Sequence, residues 1–360
     1  YLISNNIISD LNRDQFTFKK FYLRRATRIL PALISTVVFS LFLSIFSFNS
    51  VKLQEFTESL IASLTFLSNF YFSNLDFYTY DPIKYSFFVH TWSLSIEEQF
   101  YIIFPLLIFA LFRYSKRNIF LAITAISIFS IYLNISTISN QKFYFLQFRL
   151  WEFFLGVLVM IASTHFSVKK LDIPGVLLIL LSIYFFDDNW INDIEPKLIC
   201  LFGVAIILLS DSDKSLFSQF SNFKFISTIG LSSYSMYLLH QPLFAFGRIM
   251  SDSLNRELHI YSSFIIIIFL FYISNLSYTQ IELKFLNSQN TKDLQIFLTR
   301  SIVPIIFFIA FVIFTQGFSF LHTEKDFSAE SGGVKFQYEG ELLGNTTGKP
   351  TFVVVGDSHA

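Results

Sequence analysis

The sequence predicts an all-α polytopic membrane protein with about nine transmembrane helices, followed by the first strand of a further α/β domain. Of its 360 residues, 53% are hydrophobic and only 14% are charged, whereas about a quarter of the residues in a soluble domain are charged. The apolar runs repeatedly approach the roughly 20 residues that cross a bilayer. Most of these runs lack the polar outer face of a soluble helix, which disfavours a large soluble helical core.

Nine apolar segments are predicted to span the membrane: about 29–48, 88–112, 119–135, 148–164, 173–187, 197–210, 227–249, 260–278 and 301–319. The segments 173–187 and 197–210 are short for a span, so each must be re-entrant, buried or extended at its ends. The stretch 54–73 contains two glutamates and an asparagine. We interpret that stretch as an interfacial or re-entrant helix.

Basic residues set the predicted orientation of these spans. One side carries sixteen of them: Arg13, Lys19, Lys20, Arg24, Arg25, Arg28, Arg113, Lys116, Arg117, Lys169, Lys170, Lys214, Lys224, Lys284, Lys292 and Arg300. The loops of the other side carry only Lys52, Lys84, Lys142 and Arg256. Because cytoplasmic loops are enriched in Lys and Arg, the first side is predicted to be cytoplasmic and the tail after residue 319 extracytoplasmic. A net charge of zero gives no indication of a nucleic-acid partner.

The chain divides into a membrane domain at 1–287, a linker with an additional span at 288–319, an extracytoplasmic connector at 320–350 and the start of another domain at 351–360. The connector is rich in glycine and only modestly hydrophobic. The chain begins with Tyr1 rather than Met, and both ends are interpreted as truncated. Cys200 is the only cysteine, which excludes an internal disulfide and a multi-cysteine metal site; no metal is expected.

Arg25 and Arg28 form the first polar cluster near a span. They are three residues apart, so they share one face of a helix. Paired guanidinium groups suit a phosphate-bearing cytoplasmic ligand such as coenzyme A. Spacing alone favours the alternative, a positive-inside anchor beside lipid headgroups.

The segment 90–101, HTWSLSIEEQFY, opens a predicted span. Thr91, Ser95 and Glu98 recur at i, i+4 and i+7 and line one helical face, and His90 lies on a neighbouring face. Ionisable groups at membrane depth are costly, so Glu98 is a candidate functional residue. An interfacial glutamate that pairs with a nearby arginine is an equal alternative.

Arg149 and Glu152 lie at i and i+3 at the mouth of another span. This spacing predicts an ion pair, and a structural role is expected for Glu152. Arg149 has a second possible partner, because it could reach Glu98 across the bundle.

Ser233, Tyr237 and His240 are predicted to share one face of a later helix, next to Pro242. The proline is expected to kink or interrupt that helix. A lone histidine is usually structural, but its position in a polar stripe makes a site role for His240 equally plausible.

The last motif is Gly356-Asp357-Ser358-His359, which follows a predicted strand at 351–355. Some hydrolases and acyl-transfer enzymes present a nucleophilic serine on such a turn after a strand. Ser358 would need a base and oxyanion donors from elsewhere in the protein.

Together these blocks resemble the acyltransferase-3 family of membrane acyltransferases, in the form that is fused to an extracytoplasmic SGNH domain. The resemblance covers about residues 1–285, the linking span and the start of the SGNH domain. Five blocks occur in family order: Arg25-Ala-Thr-Arg28, HTWSLSIEEQFY, Arg149-Leu-Trp-Glu152, Ser233 to Pro242, and Gly356 to His359.

The resemblance implies that acyl-CoA, with acetyl-CoA expected, binds Arg25 and Arg28 on the cytoplasmic side. The acyl group then crosses the bundle to a hydroxyl of an extracytoplasmic cell-envelope polysaccharide. A bacterial inner-membrane, multi-pass location follows, with lipid as the surroundings and no nucleic acid as a partner. The implied catalytic residues are Glu98, His240 and the SGNH serine Ser358. The implied structural or site-lining residues are His90, Ser95, Arg149, Glu152, Ser233, Tyr237 and Glu282.

The sequence departs from the family pattern in two places. The family's catalytic histidine lies in a helix upstream of the position of Tyr1, so residues 1–360 alone are not expected to turn over. The family commonly has Ile-Glu-Lys-Pro where this chain has Ile281-Glu282-Leu283. Glu282 is retained, so only local geometry is affected.

Two other functions remain open at this point. A transporter or flippase of a lipid-linked glycan would explain polar residues within the membrane, but no inverted repeat is visible. A membrane-anchored sensor would leave Glu98 and the arginine pair without a task. Among acceptors for an acyltransferase, O-antigen of lipopolysaccharide, peptidoglycan, exopolysaccharide and macrolides all remain possible.

Overall fold

The computed structural model describes residues 1–75, 83–114, 118–138, 140–164, 168–169, 171–184, 194–211, 223–254, 258–287 and 291–318. Within these ranges the regular structure is helical, apart from one two-residue parallel strand pair, Val168–Lys169 with Ser210–Asp211. The predicted all-α architecture is confirmed for this part of the chain. The predicted connector at 320–350 and the strand at 351–355 lie outside it.

Thirteen α-helices occur in the described ranges. They are α1 (Leu2–Asn12), α2 (Phe18–Ser47), α3 (Ser50–Leu64), α4 (Ser68–Ser73), α5 (Thr91–Tyr114), α6 (Asn118–Ser136), α7 (Leu150–Ser163), α8 (Asp172–Tyr184), α9 (Ile194–Leu209), α10 (Lys224–Ser253), α11 (Ile260–Ser277), α12 (Leu283–Asn287) and α13 (Thr291–Phe314). Three 3₁₀ helices add Ile83–Tyr85, Asn140–Tyr144 and Leu146–Phe148, and a π-helical turn, Tyr278–Glu282, joins α11 to α12.

Five of these helical segments are long and apolar enough to cross a membrane: α2, α5, α6, the continuous stretch from α11 through α12, and α13. Three further apolar helices, α7 to α9, are shorter. Each of the nine predicted segments overlaps one of these helices, but nine spans are not confirmed. The 30-residue α10 is long enough, yet it carries many polar residues in its first half.

Several predicted boundaries are wrong because polar turns continue the helices beyond their apolar runs. Helix α2 begins at Phe18 rather than near residue 29, and the Thr17 side chain caps it by accepting from the Lys20 amide. Helix α13 begins ten residues before the predicted span. The stretch 54–73 forms the two helices α3 and α4, which are joined through Phe66 at a positive φ of 55°. Pro242 lies inside α10, which continues through it, so the predicted interruption does not occur.

Apolar side chains pack the bundle around two main clusters. One joins α1, α5, α6 and α7 through residues such as Ile7, Phe104 and Ile123. The other joins α2, α3, α10 and α13 through residues such as Val37 and Leu60. Helices α2, α5 and α10 meet between these clusters, where Leu33, Leu94 and Leu238 are buried. Polar side chains on these three helices are therefore held inside the bundle.

Helices α8 and α9 approach each other through two glycines. A Cβ atom placed on Gly175 would lie 2.7 Å from the Gly203 carbonyl oxygen, and the reverse distance is also 2.7 Å. Small residues allow such close backbone approach between helices in membranes. The two short helices therefore form a tight pair, which packs against α7.

Candidate functional site

Arg25 lies at the junction of α2 and α5. Its guanidinium carbon lies 4.8 Å from the centroid of the Tyr101 ring and 5.9 Å from that of Phe21. Glu97 and Glu98 lie close enough to interact electrostatically with Arg25. We call Arg25, Glu97, Glu98 and Tyr101 the arginine–carboxylate cluster.

The two carboxylates of this cluster differ in their hydrogen bonding. Glu97 Oε2 accepts from the Tyr101 hydroxyl at 3.3 Å. Glu98 Oε1 is buried and has no hydrogen-bond partner among the described residues. A buried acceptor without a partner is costly, so Glu98 Oε1 is positioned to accept a hydrogen bond from a bound group.

Arg28 and Glu282 extend the cluster toward α11. Arg28 is exposed, and it interacts electrostatically with Glu97 and Glu282. The π-helical turn carries Glu282, which is buried and accepts a hydrogen bond from the Ser235 hydroxyl. The Ser235 and Ser277 hydroxyl oxygens are 2.8 Å apart. Glu282 therefore lies in a network of hydroxyl groups.

His90, Ser93, Tyr237 and His240 form a second group, the histidine cluster. The ring centroids of His90 and His240 are 5.0 Å apart, and those of His90 and Tyr237 are 5.2 Å apart. The Tyr237 hydroxyl lies 2.6 Å from Ser93 Oγ and donates to the His90 carbonyl oxygen. His240 Nδ1 contacts the Tyr237 carbonyl oxygen. Both ring nitrogens of His90 are buried, and no side chain in the described part of the chain bonds to either of them.

Arg149 and Glu152 form an ion pair at the start of α7. Arg149 Nε and Nη2 donate to Glu152 Oε2 at 2.9 and 2.6 Å. The guanidinium carbon lies 5.2 Å from the Trp92 ring centroid. The structure thus shows the predicted i,i+3 pair, and not the alternative hydrogen bond from Arg149 to Glu98.

The sequence comparisons agree with these blocks. A family model described as an acyltransferase domain matches residues 1–324. The chain belongs to the acyltransferase-3 family. O-acetyltransferase OatA of Staphylococcus aureus strain NCTC 8325 is 30% identical over 308 residues, which is 78% of this chain and 50% of OatA. The OatA proteins of strains COL and MRSA252 match to the same extent. This acyltransferase-3 chain therefore spans about half the length of these curated relatives, and no solved structure matches it significantly.

Two residues of the acyltransferase-3 motif HTWSLSIEEQFY have packing roles in this structure. The Ser95 hydroxyl lies 2.7 Å from the Ser68 hydroxyl and accepts from the Ser68 amide at the start of α4. The Thr91 hydroxyl lies 2.8 Å from that of Ser63 on α3. These bonds attach α3 and α4 to α5.

Ser233 takes no part in the hydrogen bonds described for either cluster. It is exposed, and its hydroxyl donates back to the Gly230 carbonyl oxygen. Although Ser233 lies one turn before Tyr237 on α10, its hydroxyl therefore bonds within its own helix. Ser358 lies outside the described residues. Within the described ranges, no three His, Cys, Asp or Glu side chains come together as a metal site.

Sequence reasoning missed Tyr101 and Tyr234. Tyr101 contacts both Arg25 and Glu97, and the i,i+4 spacing from Glu97 to Tyr101 is the signal that could have indicated it. The Tyr234 hydroxyl donates to the Ile29 carbonyl oxygen at 3.3 Å. Because that bond joins residues 205 positions apart, no local pattern could have revealed it.

Proposed function

We propose that this protein is a membrane O-acyltransferase that moves an acetyl group from cytoplasmic acetyl-CoA to a hydroxyl of a cell-envelope polysaccharide. Membership of the acyltransferase-3 family supports the reaction class. The similarity to proteins named O-acetyltransferase OatA supports acetyl as the acyl group and oxygen as its acceptor.

The observation that carries this proposal is the arginine–carboxylate cluster within the helical bundle. A guanidinium stacked on Tyr101 is held in place and keeps donors for the phosphates of coenzyme A. Glu98 keeps a buried oxygen without a described partner, and ionisable residues at such positions are functional by default. A cation for the donor and a carboxylate for proton transfer are therefore adjacent.

The two clusters lie at different heights along α5. His90 immediately precedes this helix and Ser93 lies in its first turn, whereas Tyr101 lies more than two turns beyond Ser93. The excess of basic residues on one side supports a cytoplasmic location for the Arg25 end. On this orientation, the donor enters beside Arg25 and Arg28, and the histidine cluster faces the extracytoplasmic half of the membrane.

The proposed transfer forms one bond and breaks one. The acceptor oxygen bonds to the thioester carbonyl carbon, and the carbon–sulfur bond to coenzyme A breaks. The hydroxyl proton passes to a base, for which Glu98 and His240 are the candidates within the described residues, and finally to the thiolate. If the complete protein has an SGNH domain, Ser358 would be the first acceptor: its oxygen would take the acyl group from the thioester. A glycan hydroxyl would then attack that ester, and the serine oxygen would leave and regain a proton.

The test uses the complete native gene product in inside-out membrane vesicles supplied with radiolabelled acetyl-CoA. We expect base-labile label on glycan or on the protein. Replacing both Arg25 and Arg28 by Ala should raise KM for acetyl-CoA at least tenfold, because charge-assisted contacts to phosphate contribute about 1.5–3 kcal/mol each.

Arg24→Ala is the matched control. Arg24 carries the same charge and immediately precedes Arg25 in the chain, but it pairs at 3.0 Å with Asp10 at the surface. The KM for acetyl-CoA should therefore be unchanged in Arg24→Ala. Equal KM values in all variants would make Arg25 and Arg28 orientation anchors only. Absence of label from folded wild-type protein would instead favour the glycan transporter.

A further inference from the structure

A cavity of about 380 Å³ lies among the ends of α7, α8 and α9. Ligand pockets commonly measure about 300–1,000 Å³, so this cavity can hold a group of the size of a sugar ring. Its polar lining comes from Arg149, Glu152, Ser182, Lys197 and Cys200. None of these residues belongs to the arginine–carboxylate cluster or to the histidine cluster.

The ion pair in this cavity leaves hydrogen-bonding groups for a ligand. Both contacts from Arg149 go to the same oxygen of Glu152, Oε2. Glu152 Oε1 is buried and has no hydrogen-bond partner among the described residues. A guanidinium has five N–H donors, and this pair occupies two of them. An acceptor and unused donors are therefore presented side by side.

Aromatic rings hold this donor–acceptor pair in place. The Arg149 guanidinium lies over the rings of Trp92 and Phe143, at 5.2 and 5.7 Å from their centroids. These two rings are themselves in contact, with centroids 4.3 Å apart. Because the guanidinium is stacked, less rotamer freedom is lost when a ligand binds.

The same contacts connect the cavity to the histidine cluster. Trp92, which stacks on Arg149, immediately precedes Ser93 in α5, and the Ser93 hydroxyl contacts that of Tyr237. The starts of α5, α7 and α9 and the end of α8 lie on the same predicted side of the membrane, the extracytoplasmic side. The cavity is thus on the side at which the proposed reaction needs its acceptor.

We propose that this cavity binds a hexopyranose ring of the acyl acceptor, with one hydroxyl donating to Glu152 Oε1 and a neighbouring hydroxyl accepting from Arg149. This inference rests on the proposed function. Vicinal hydroxyls offer adjacent donors and acceptors, which match an arginine–glutamate pair. The pair is neutral as a whole, and the Lys197 ammonium group in the lining can donate to a further sugar hydroxyl. The Ser182 hydroxyl donates to the Pro196 carbonyl oxygen at 3.1 Å, and its oxygen can accept from the sugar.

The binding test uses Cys200, which lines the cavity. The purified protein in lipid nanodiscs is alkylated with N-ethylmaleimide, and the rate at Cys200 is followed by mass spectrometry. The probes are methyl β-glucopyranoside and chitobiose, with glycerol at equal osmolality as the control. A sugar at ten times its Kd should slow alkylation about elevenfold by mass action. Glu152→Gln should weaken this protection, because a glutamine whose oxygen pairs with Arg149 presents an N–H donor where the acceptor Oε1 was.

The kinetic test fills the cavity without changing its charge. Cys200→Trp should raise KM for the polysaccharide acceptor at least tenfold and leave KM for acetyl-CoA unchanged. Leu198→Trp is the matched control on the same helix, because Leu198 is 44% exposed and does not line the cavity. A merely structural ion pair would not divide the two KM values in this way.

The outcomes separate this inference from the proposed function. Protection of Cys200 by sugar, but not by glycerol, supports the cavity site even if no acyl transfer is detected. Intact acyl transfer, with Cys200 alkylated equally fast in sugar and in glycerol, overturns the cavity site and leaves the proposed function standing. Equal KM values for Cys200→Trp and the wild type also overturn it.

Discussion

Helix α5 has one polar face with two parts, which differ in how completely their groups are hydrogen-bonded. In the first part, Thr91 and Ser95 bond to the hydroxyls of Ser63 and Ser68 and attach α3 and α4 to the bundle; we call it the saturated part. In the second part, about one turn further along the helix, Glu98 has a buried oxygen without a partner in the described structure; we call it the open part. All three residues of α5 come from one twelve-residue motif, yet only the open part keeps an acceptor without a described partner.

The difference has an energetic basis. Hydroxyl pairs satisfy each other at little cost, so a saturated group of hydroxyls contributes to stability and excludes further partners. A carboxylate inside a bundle is costly until something binds it. Variants in the saturated part should therefore alter stability, and variants in the open part should alter activity.

The largest effect on activity is expected for Glu98, in the open part. Glu98→Gln should reduce acyl transfer by about 100-fold or more, the range for loss of a group that transfers a proton. Thermal stability in nanodiscs should be retained, because the change removes a buried charge. Initial rates with radiolabelled acetyl-CoA, normalised to folded protein, measure the effect.

Glu58→Gln is the control for this variant. Glu58 is exposed and accepts from the Tyr71 hydroxyl at 3.3 Å, so its loss should leave the rate unchanged. Full activity of Glu98→Gln would show that the charge of Glu98 has no catalytic task. The functional difference between the saturated and the open part would then be refuted.

A smaller effect is expected in the saturated part. Ser95→Ala removes the α5 partner of the Ser68 amide and one of the two α5 hydroxyls that contact the Ser68 hydroxyl, which keeps the Thr91 hydroxyl at 3.0 Å. Interhelical hydrogen bonds in membranes contribute about 0.6 kcal/mol on average and at most about 1.7, so unfolding free energy should fall by about 1–2 kcal/mol. The rate per folded molecule should stay within a factor of two of the wild type, as a rough limit for a residue outside the site.

Ser233→Ala makes the same substitution at an exposed serine whose hydroxyl bonds only within its own helix. Its unfolding free energy should be unchanged. If Ser95→Ala abolished acyl transfer without lowering stability, Ser95 would belong to the site. The assignment of Ser95 to the saturated part would then be wrong.

The smallest effect is expected for Tyr101, the aromatic neighbour of Arg25 and Glu97 beside the open part. Tyr101→Phe keeps the ring over Arg25 and removes the 3.3 Å hydrogen bond to Glu97. We expect less than about 1 kcal/mol of lost stability and a higher KM for acetyl-CoA, because Glu97 without the Tyr101 bond attracts Arg25 more strongly. Tyr132→Phe, at a 63% exposed tyrosine on α6, should change neither quantity, and an identical result for both tyrosines would exclude a positioning role for Tyr101.

Much of the fold could be predicted, because each candidate span contains a long apolar run. The ends were less predictable: α2 and α13 both begin about ten residues before their predicted spans. A polar turn can continue a helix at the membrane interface, where water satisfies its side chains. Hydropathy alone therefore locates the apolar centre of a helix and not its first residue.

The site could be predicted only in part for a different reason. The i,i+3 spacing of Arg149 and Glu152 is local, and their ion pair is present. Ser233 shares a predicted face with Tyr237 and His240, but its hydroxyl bonds to the Gly230 carbonyl oxygen, while the Ser235 hydroxyl bonds to Glu282. Which face of α10 meets which neighbour depends on helix rotation, and spacing along one helix does not contain that information.

The sequence by itself determined the helical class, the apolar segments and the motifs of an acyltransferase-3 domain, because these follow from local composition and order. Only the tertiary structure decided which motif residues are saturated. It brought Arg25 over Tyr101, placed His90 beside His240, and left oxygens of Glu98 and Glu152 without described partners. Hydrogen-bond saturation is a property of pairs that are distant in the chain, so it appears only when the helices are packed.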